Sequence, residues 1–156
     1  KNWPFVSGSF AYILAIVKTF LGKLGITADI SVDGAEPEHK NCLFAVIANA
    51  PYYGGGFMGA PDAVPYDKKL DFTLVDNIPK LKILKFLGLY KKGKHKLLDC
   101  CTLKNCESME FFSDKPIPVN LDGEIIESKH MKFKLVKNAV KFVVPKGLAN
   151  KLLTNV

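Results

Sequence analysis

The chain has 156 residues, 48% of them hydrophobic, and a formal net charge of +7. That length supports one well-buried core and therefore one domain. Mean hydropathy is +0.10, at the apolar end for a soluble protein, yet runs such as Tyr12–Val17 and Leu43–Ala48 are far too short to span a bilayer. All 22 basic residues are Lys. Without Arg, the usual fork for guanine edges and bidentate phosphate contacts, nucleic acid is not expected as a partner.

In chain order, apolar residues at Phe10, Ile13, Leu14, Val17, Phe20, Leu21 and Leu24 predict a helix over Ser7–Leu24, stopped at Gly25. Ile26–Val32 reads as a strand closed by Asp33-Gly34, and Asn41–Ala50 as a second, buried strand. A loop over Ala50–Lys69 follows, carrying APYYGGGFMGAPDA, and Leu70–Asp76 resumes an extended pattern. Pro79–Tyr90 reads as a helix, with either Leu81, Leu84 and Leu87 or Ile83, Phe86 and Leu87 on one side. Beyond it, strands are predicted over Leu97–Leu103, Ser108–Ser113, Val119–Leu121, Glu124–Ser128, Met131–Val136 and Ala139–Val144. The fold class is therefore mainly β, an antiparallel sandwich or barrel-like domain with one or two peripheral helices.

The chain begins at Lys1 without Met, and its first apolar segment, carrying Lys18 and Lys23, reads neither as a signal peptide nor as a membrane span. It is taken as a fragment. The four cysteines fit reduced thiols better than a disulfide framework, with Cys100 and Cys101 on opposite faces of a strand. The three histidines, His39, His95 and His130, lack a neighbouring nucleophile pattern and are read as surface residues.

Three motifs bear on function. Gly54, Gly56 and Gly59 mimic the spacing of a dinucleotide loop, but the Lys-Ser/Thr of a phosphate loop is missing and no helix evidently follows; a permissive loop with close backbone approach fits better. Asn120-Leu121-Asp122-Gly123-Glu124 is a tight turn between strands, which either only turns the chain or presents Glu124 as a base with Asp122 beside it. Between Lys80 and Lys96 there are seven lysines and no acid, the whole charge excess of the chain. That stretch is either a solvated face or a surface for anionic headgroups.

Taken in order, Asn49, Tyr53-Gly54-Gly55-Gly56, Ala60-Pro61-x-Ala63, Asp67-x-x-Leu70-Asp71, Gly93-Lys94-His95, Pro118-x-x-Leu121-Asp122-Gly123-Glu124 and Val143-Val144-Pro145 resemble the bacterial diacylglycerol kinase and lipid kinase family, related to sphingosine and ceramide kinases. The resemblance covers essentially the whole chain and only the second, sandwich-like domain of that family. The family's Gly-Gly-Asp-Gly-Thr motif is absent from the sequence, so the ATP site is expected on a preceding domain and the fragment alone is expected to be inactive.

The resemblance implies an ATP- and Mg²⁺-dependent transfer of a phosphoryl group to the hydroxyl of a lipid such as diacylglycerol. Glu124 matches the family's proton acceptor and Asp122 its companion. Asn49, Tyr53, Gly54, Gly55 and Gly56 would line the substrate cleft, and Asp67 would bind Mg²⁺ with the backbone oxygens of Val64 and Lys69. Lys68 stands where the family usually has glycine and sets a competing cation beside that acid. Lys91, Lys92 and Lys94 would meet an anionic membrane, giving a cytoplasmic protein peripheral at the inner membrane face, with a homodimer as a further expectation. The alternative is a lipid-binding or membrane-docking sandwich without chemistry.

Overall fold

Residues 22, 24–140, 143 and 145 are described by the structure, a computed structural model. The helix expected over Ser7–Leu24 lies almost wholly outside them, as do residues 141, 142 and 144 of the last expected strand. β1 (Ile26–Val32) buries Ala28 and Ile30 and turns Asp29 outward, the period of two that a half-covered strand requires. It is followed by β2 (Glu38–Ala48), β3 (Leu70–Asp76), helix α1 (Lys80–Lys91), a 3₁₀ turn (Lys94–Leu97), β4 (Cys101–Cys106), β5 (Ser108–Leu121) and β6 (Glu124–Lys134).

These strands form one antiparallel sheet in the order β4-β3-β2-β1-β5-β6, left open with β4 and β6 at its edges. Cys106 of β4 and Ser108 of β5 are separated only by Glu107, although their strands stand far apart in that order. The sheet must therefore coil back on itself, which makes the domain sandwich-like. Asp33 pins the crossing: its Oδ1 accepts the backbone N–H groups of Glu107 and Ser108, both at 2.8 Å.

Two apolar clusters hold the sheet. Phe72 and Leu74 of β3 join Ala28, Ile30, Cys42, Met109 and Phe111 in the first. The alternate β3 residues Asp71, Thr73 and Val75 face the other way, where Val75 meets Phe86 and Tyr90 of α1. Phe44 of β2 packs edge-on against both rings, at 6.1 Å and 5.3 Å between centroids.

Several boundaries differ from the expected ones: β2 runs Glu38–Ala48 where Asn41–Ala50 was expected, and residues 139, 140 and 143 of the strand expected over Ala139–Val144 are not extended into a strand. The short strands expected over Ser108–Ser113 and Val119–Leu121 are one 14-residue strand. Pro116 and Pro118 lack ladder donors, and the register shifts between Phe112 and Ile117 instead of breaking. Met131–Val136 and Glu124–Ser128 likewise merge into β6. The run from Leu97 is strand only from Cys101, because the N–H groups of Leu98 and Cys101 bond the carbonyls of His95 and Leu98 in tight turns. Cys100 thus precedes the strand that it was expected to share with Cys101.

Candidate functional site

The loop between β2 and β3 folds back over the α1 face of the sheet. Tyr53 and Phe57 exchange backbone hydrogen bonds of 3.0 Å and 3.1 Å around Gly54-Gly55-Gly56, making a small hairpin tip. Gly54 and Gly56 take φ of 51° and 82°, which glycine adopts without a Cβ penalty. Their Cβ positions open on free space, so turn geometry requires these glycines. The close approach is made further on, at Gly59, where a Cβ would sit 2.7 Å from the Tyr90 hydroxyl. The hydroxyls of Tyr53 and Tyr90 are 2.9 Å apart, and burial followed by that bond pushes the Tyr90 phenol's pKa up.

Behind the tip the loop gathers carboxylates. Asp67 Oδ1 accepts the Lys69 N–H at 2.9 Å, its own N–H donates to the Val64 carbonyl at 3.1 Å, and Asn49 donates to the Pro65 carbonyl at 3.3 Å. Asp71 is buried and its Oδ2 has no hydrogen-bond partner among the described residues. Desolvation, then the charges of Asp67 and Asp62, push its pKa up to about 6. Mg²⁺ takes oxygen donors, the kind that Asp67, Asp71 and the loop carbonyls offer. The described residues contain no group of three or more His, Cys, Asp or Glu side chains set to hold a metal, so such an ion would need backbone oxygens. Lys68 adopts φ 63°, the left-handed region that glycine enters freely.

His95, read from sequence as a surface residue, is fully buried. Its ring lies 4.6 Å from Tyr90 and 6.5 Å from Phe86 between centroids. Burial pushes its basicity down against a weaker opposing pull from the Gly59 carbonyl and Asp62. Neither nitrogen has a hydrogen-bond partner of acceptable geometry among the described residues, and the nearby Gly59 carbonyl accepts from Thr73 Oγ1 at 2.9 Å. The ring acts as packing that fixes the turn after α1 under the glycine loop. His39 and His130 are exposed, paired with Asp29 and Glu110.

At the far edge, Leu121 pairs with Glu124 across Asp122-Gly123. Both turn residues have positive φ, 49° and 109°, as the tightest hairpin turns require. The two Asp-Gly turns of this chain differ in one respect. The Asp33 carboxylate is taken up by two N–H groups, whereas those of Asp122 and Glu124 are exposed and make no hydrogen bond or ion pair among the described residues.

Along the ladder, Ala48 pairs with Asp71 at the end of β2 and the start of β3. Antiparallel alternation puts the β5–β6 tip on that same side of the sheet. Among the described residues no side-chain hydrogen bond or ion pair joins the two groups. Lys91, Lys92 and Lys94 lie exposed at the end of α1 and beyond it, with Lys91 Nζ 5.7 Å above the Phe57 ring. A cavity of about 290 Å³, floored by Ile30, Phe72 and Leu74, opens on the first cluster's side and is lined by none of the expected site residues.

Residues 1–144 match the family described as YegS C-terminal NAD kinase beta sandwich-like domain. The chain belongs to that family. A protein of Bacillus subtilis (strain 168) named "Putative lipid kinase YtlR" is 39% identical over 89 residues, which is 57% of this chain and 29% of that protein. A "Probable lipid kinase YegS-like" protein of Shewanella frigidimarina (strain NCIMB 400) is 28% identical over 138 residues, 88% of this chain and 44% of the relative. The chain thus spans less than half the length of either. A crystal structure titled as a "putative diacylglycerol kinase" from Bacillus anthracis str. Sterne superposes with a TM-score of 0.63 at 17% identity, over 86% of this chain and 46% of that one. That last likeness is one of fold.

Proposed function

We propose that the chain is the acceptor-side domain of a lipid kinase, which supplies the proton-accepting carboxylate while ATP is held mainly by a preceding domain. The observation that carries this reading is the contrast between the two Asp-Gly turns: the carboxylate of Asp33 is spent on structure, and that of Glu124 is free to take a proton. Relatives named lipid kinases support the reaction class.

In this reading Glu124 accepts the lipid hydroxyl's proton as its oxygen attacks the γ-phosphorus, and Asp122 supports it. Asn49, Tyr53 and Gly54 to Gly56 line the cleft that receives the acceptor. Asp67, with backbone oxygens of Val64 and Lys69, would hold Mg²⁺, which when bound offsets negative charge at that corner. Lys91, Lys92 and Lys94 meet an anionic membrane surface, consistent with a peripheral protein; no helix among the described residues is long and apolar enough to cross a membrane.

The test is Glu124→Gln in the intact protein, assayed with ATP and diacylglycerol. Loss of phosphoryl transfer by on the order of a hundredfold or more, with an unchanged melting temperature, is expected. Near wild-type turnover removes Glu124 as the base.

A further inference from the structure

The helix α1 carries apolar residues on two sides, and only one is used by the fold. Ile83, Phe86 and Tyr90 are buried against the sheet. Leu81, Leu84 and Leu87 follow at steps of three, which places them together on an outer side, and they remain 86%, 66% and 42% exposed. Leu97, closing the turn after α1, is 77% exposed. An exposed apolar row of this kind on one short helix marks a surface that something covers.

Charge selects what covers it. The stretch Lys80–Lys96 contains seven lysines and no acid. Lysine stems lie along apolar surface while their heads stay hydrated, so a leucine row among lysines matches a boundary with headgroups on one side and acyl chains on the other. Two copies of this helix brought together would oppose lysine to lysine with no carboxylate on either helix, the acid that reaches this stretch, Asp62, being paired with Lys96, which disfavours a second copy as occupant.

We propose that the Leu81-Leu84-Leu87 side of α1, with Leu97, inserts into the acyl boundary of an anionic lipid bilayer, while the surrounding lysines engage its headgroups. The proposal deepens the reading of this domain as one that works at a membrane surface. The anchor is also coupled to the glycine loop, because Tyr90 of the same helix bonds Tyr53 and Lys91 sits over Phe57. Docking α1 would thus bring the loop to the bilayer as part of one packed unit.

The experiment is vesicle co-sedimentation of the intact protein, without ATP or acceptor lipid, on phosphatidylcholine with and without phosphatidylglycerol. Wild type is expected to bind only the anionic vesicles. Leu81→Ser/Leu84→Ser, which alters exposed positions and should leave the circular dichroism unchanged, is expected to bind on the order of tenfold more weakly. A solvent-sensitive fluorophore on Leu84→Cys is expected to shift to the blue on those vesicles, including at high salt where charge is screened.

Unchanged affinity of the double variant with an unshifted probe overturns the proposal and leaves charge alone as the means of docking. Loss of a dimer in sedimentation velocity, with vesicle binding retained, overturns it in favour of a second copy. Wild-type protein that docks as described but phosphorylates no lipid removes the kinase reading and leaves this one standing.

Discussion

The hydroxyls of Tyr53 and Tyr90 meet at 2.9 Å over Gly59, tying the β2–β3 loop to α1. A Cβ at Gly59 would lie 2.5 Å from Tyr53 Cε1 and 2.7 Å from the Tyr90 hydroxyl, closer than side-chain atoms pack. Gly59→Ala should therefore force the two tyrosines apart and destabilise the domain by about 1–3 kcal/mol. Gly55→Ala is the control: its Cβ meets nothing within 4 Å, and its melting temperature should hold or rise slightly as the unfolded chain loses freedom. Thermal melts of the two variants decide it, and equal losses would mean that Gly59 makes no close approach.

A second prediction concerns pH. The folded state holds His95 neutral more strongly than the unfolded chain does, because burial lowers its pKa from the ordinary 6.5. As pH falls through 6.5 the unfolded chain takes up a proton that the folded one resists, so stability drops on the acid side. Asp71 acts in the opposite sense. Its pKa, raised from 3.8 to about 6, lets the folded state hold a proton that the unfolded chain has lost, so its penalty appears as pH rises through that window and is complete above it. His95→Phe keeps a ring beside Tyr90 and removes two unpartnered nitrogens. Melts between pH 5 and pH 8, spanning those two pKa values, should show the variant losing less stability than wild type on acidification. Parallel profiles would assign the acid sensitivity elsewhere.

The sheet was legible to the extent that alternation survived. Ile26–Val32 and Leu70–Asp76 have the extents that their patterns predict, and the mainly β class followed from the number of such segments. The merged β5 was not legible, because Pro116 and Pro118 read as breaks and only a register shift lets a strand pass through them. α1 was legible as a helix but not in its orientation: the period allowed Leu81, Leu84 and Leu87 or Ile83, Phe86 and Leu87 on the inner side, and packing against Phe44 and Val75 buried Ile83 and Phe86 with Tyr90, leaving Leu87 exposed. His95 has the composition of a surface residue, amid lysines; its burial follows from the left-handed Gly93, φ 68°, which turns the chain back beneath the loop. The Gly-x-His triplet was the one signal that set it apart from His39 and His130. Of the candidate site, the turn holding Glu124 was read correctly as a tight hairpin, while the crowding that raises Asp71 depends on a loop whose path no periodicity gives.

The last prediction joins backbone strain to the metal. Lys68 holds φ 63° between Asp67 and Lys69, a conformation that costs a residue with a Cβ about 1 kcal/mol relative to glycine. It also puts a cation next in sequence to Asp67, the residue proposed to bind Mg²⁺, although no ion pair joins the two among the described residues. Lys68→Gly relieves the first effect and removes the second. The variant should melt slightly higher than wild type without metal, by an amount corresponding to roughly 0.5 kcal/mol at most after the added freedom of the unfolded chain is allowed for. Its further rise on adding MgCl₂ should exceed that of wild type, since ligand binding to the folded state stabilises in proportion to affinity. Asp67→Asn should abolish the magnesium-dependent part of the rise while leaving the metal-free gain of a Lys68→Gly/Asp67→Asn double variant in place. A magnesium response that survives Asp67→Asn would move the ion away from this loop, and a Lys68→Gly variant no more stable than wild type would mean that the left-handed turn is not strained by lysine.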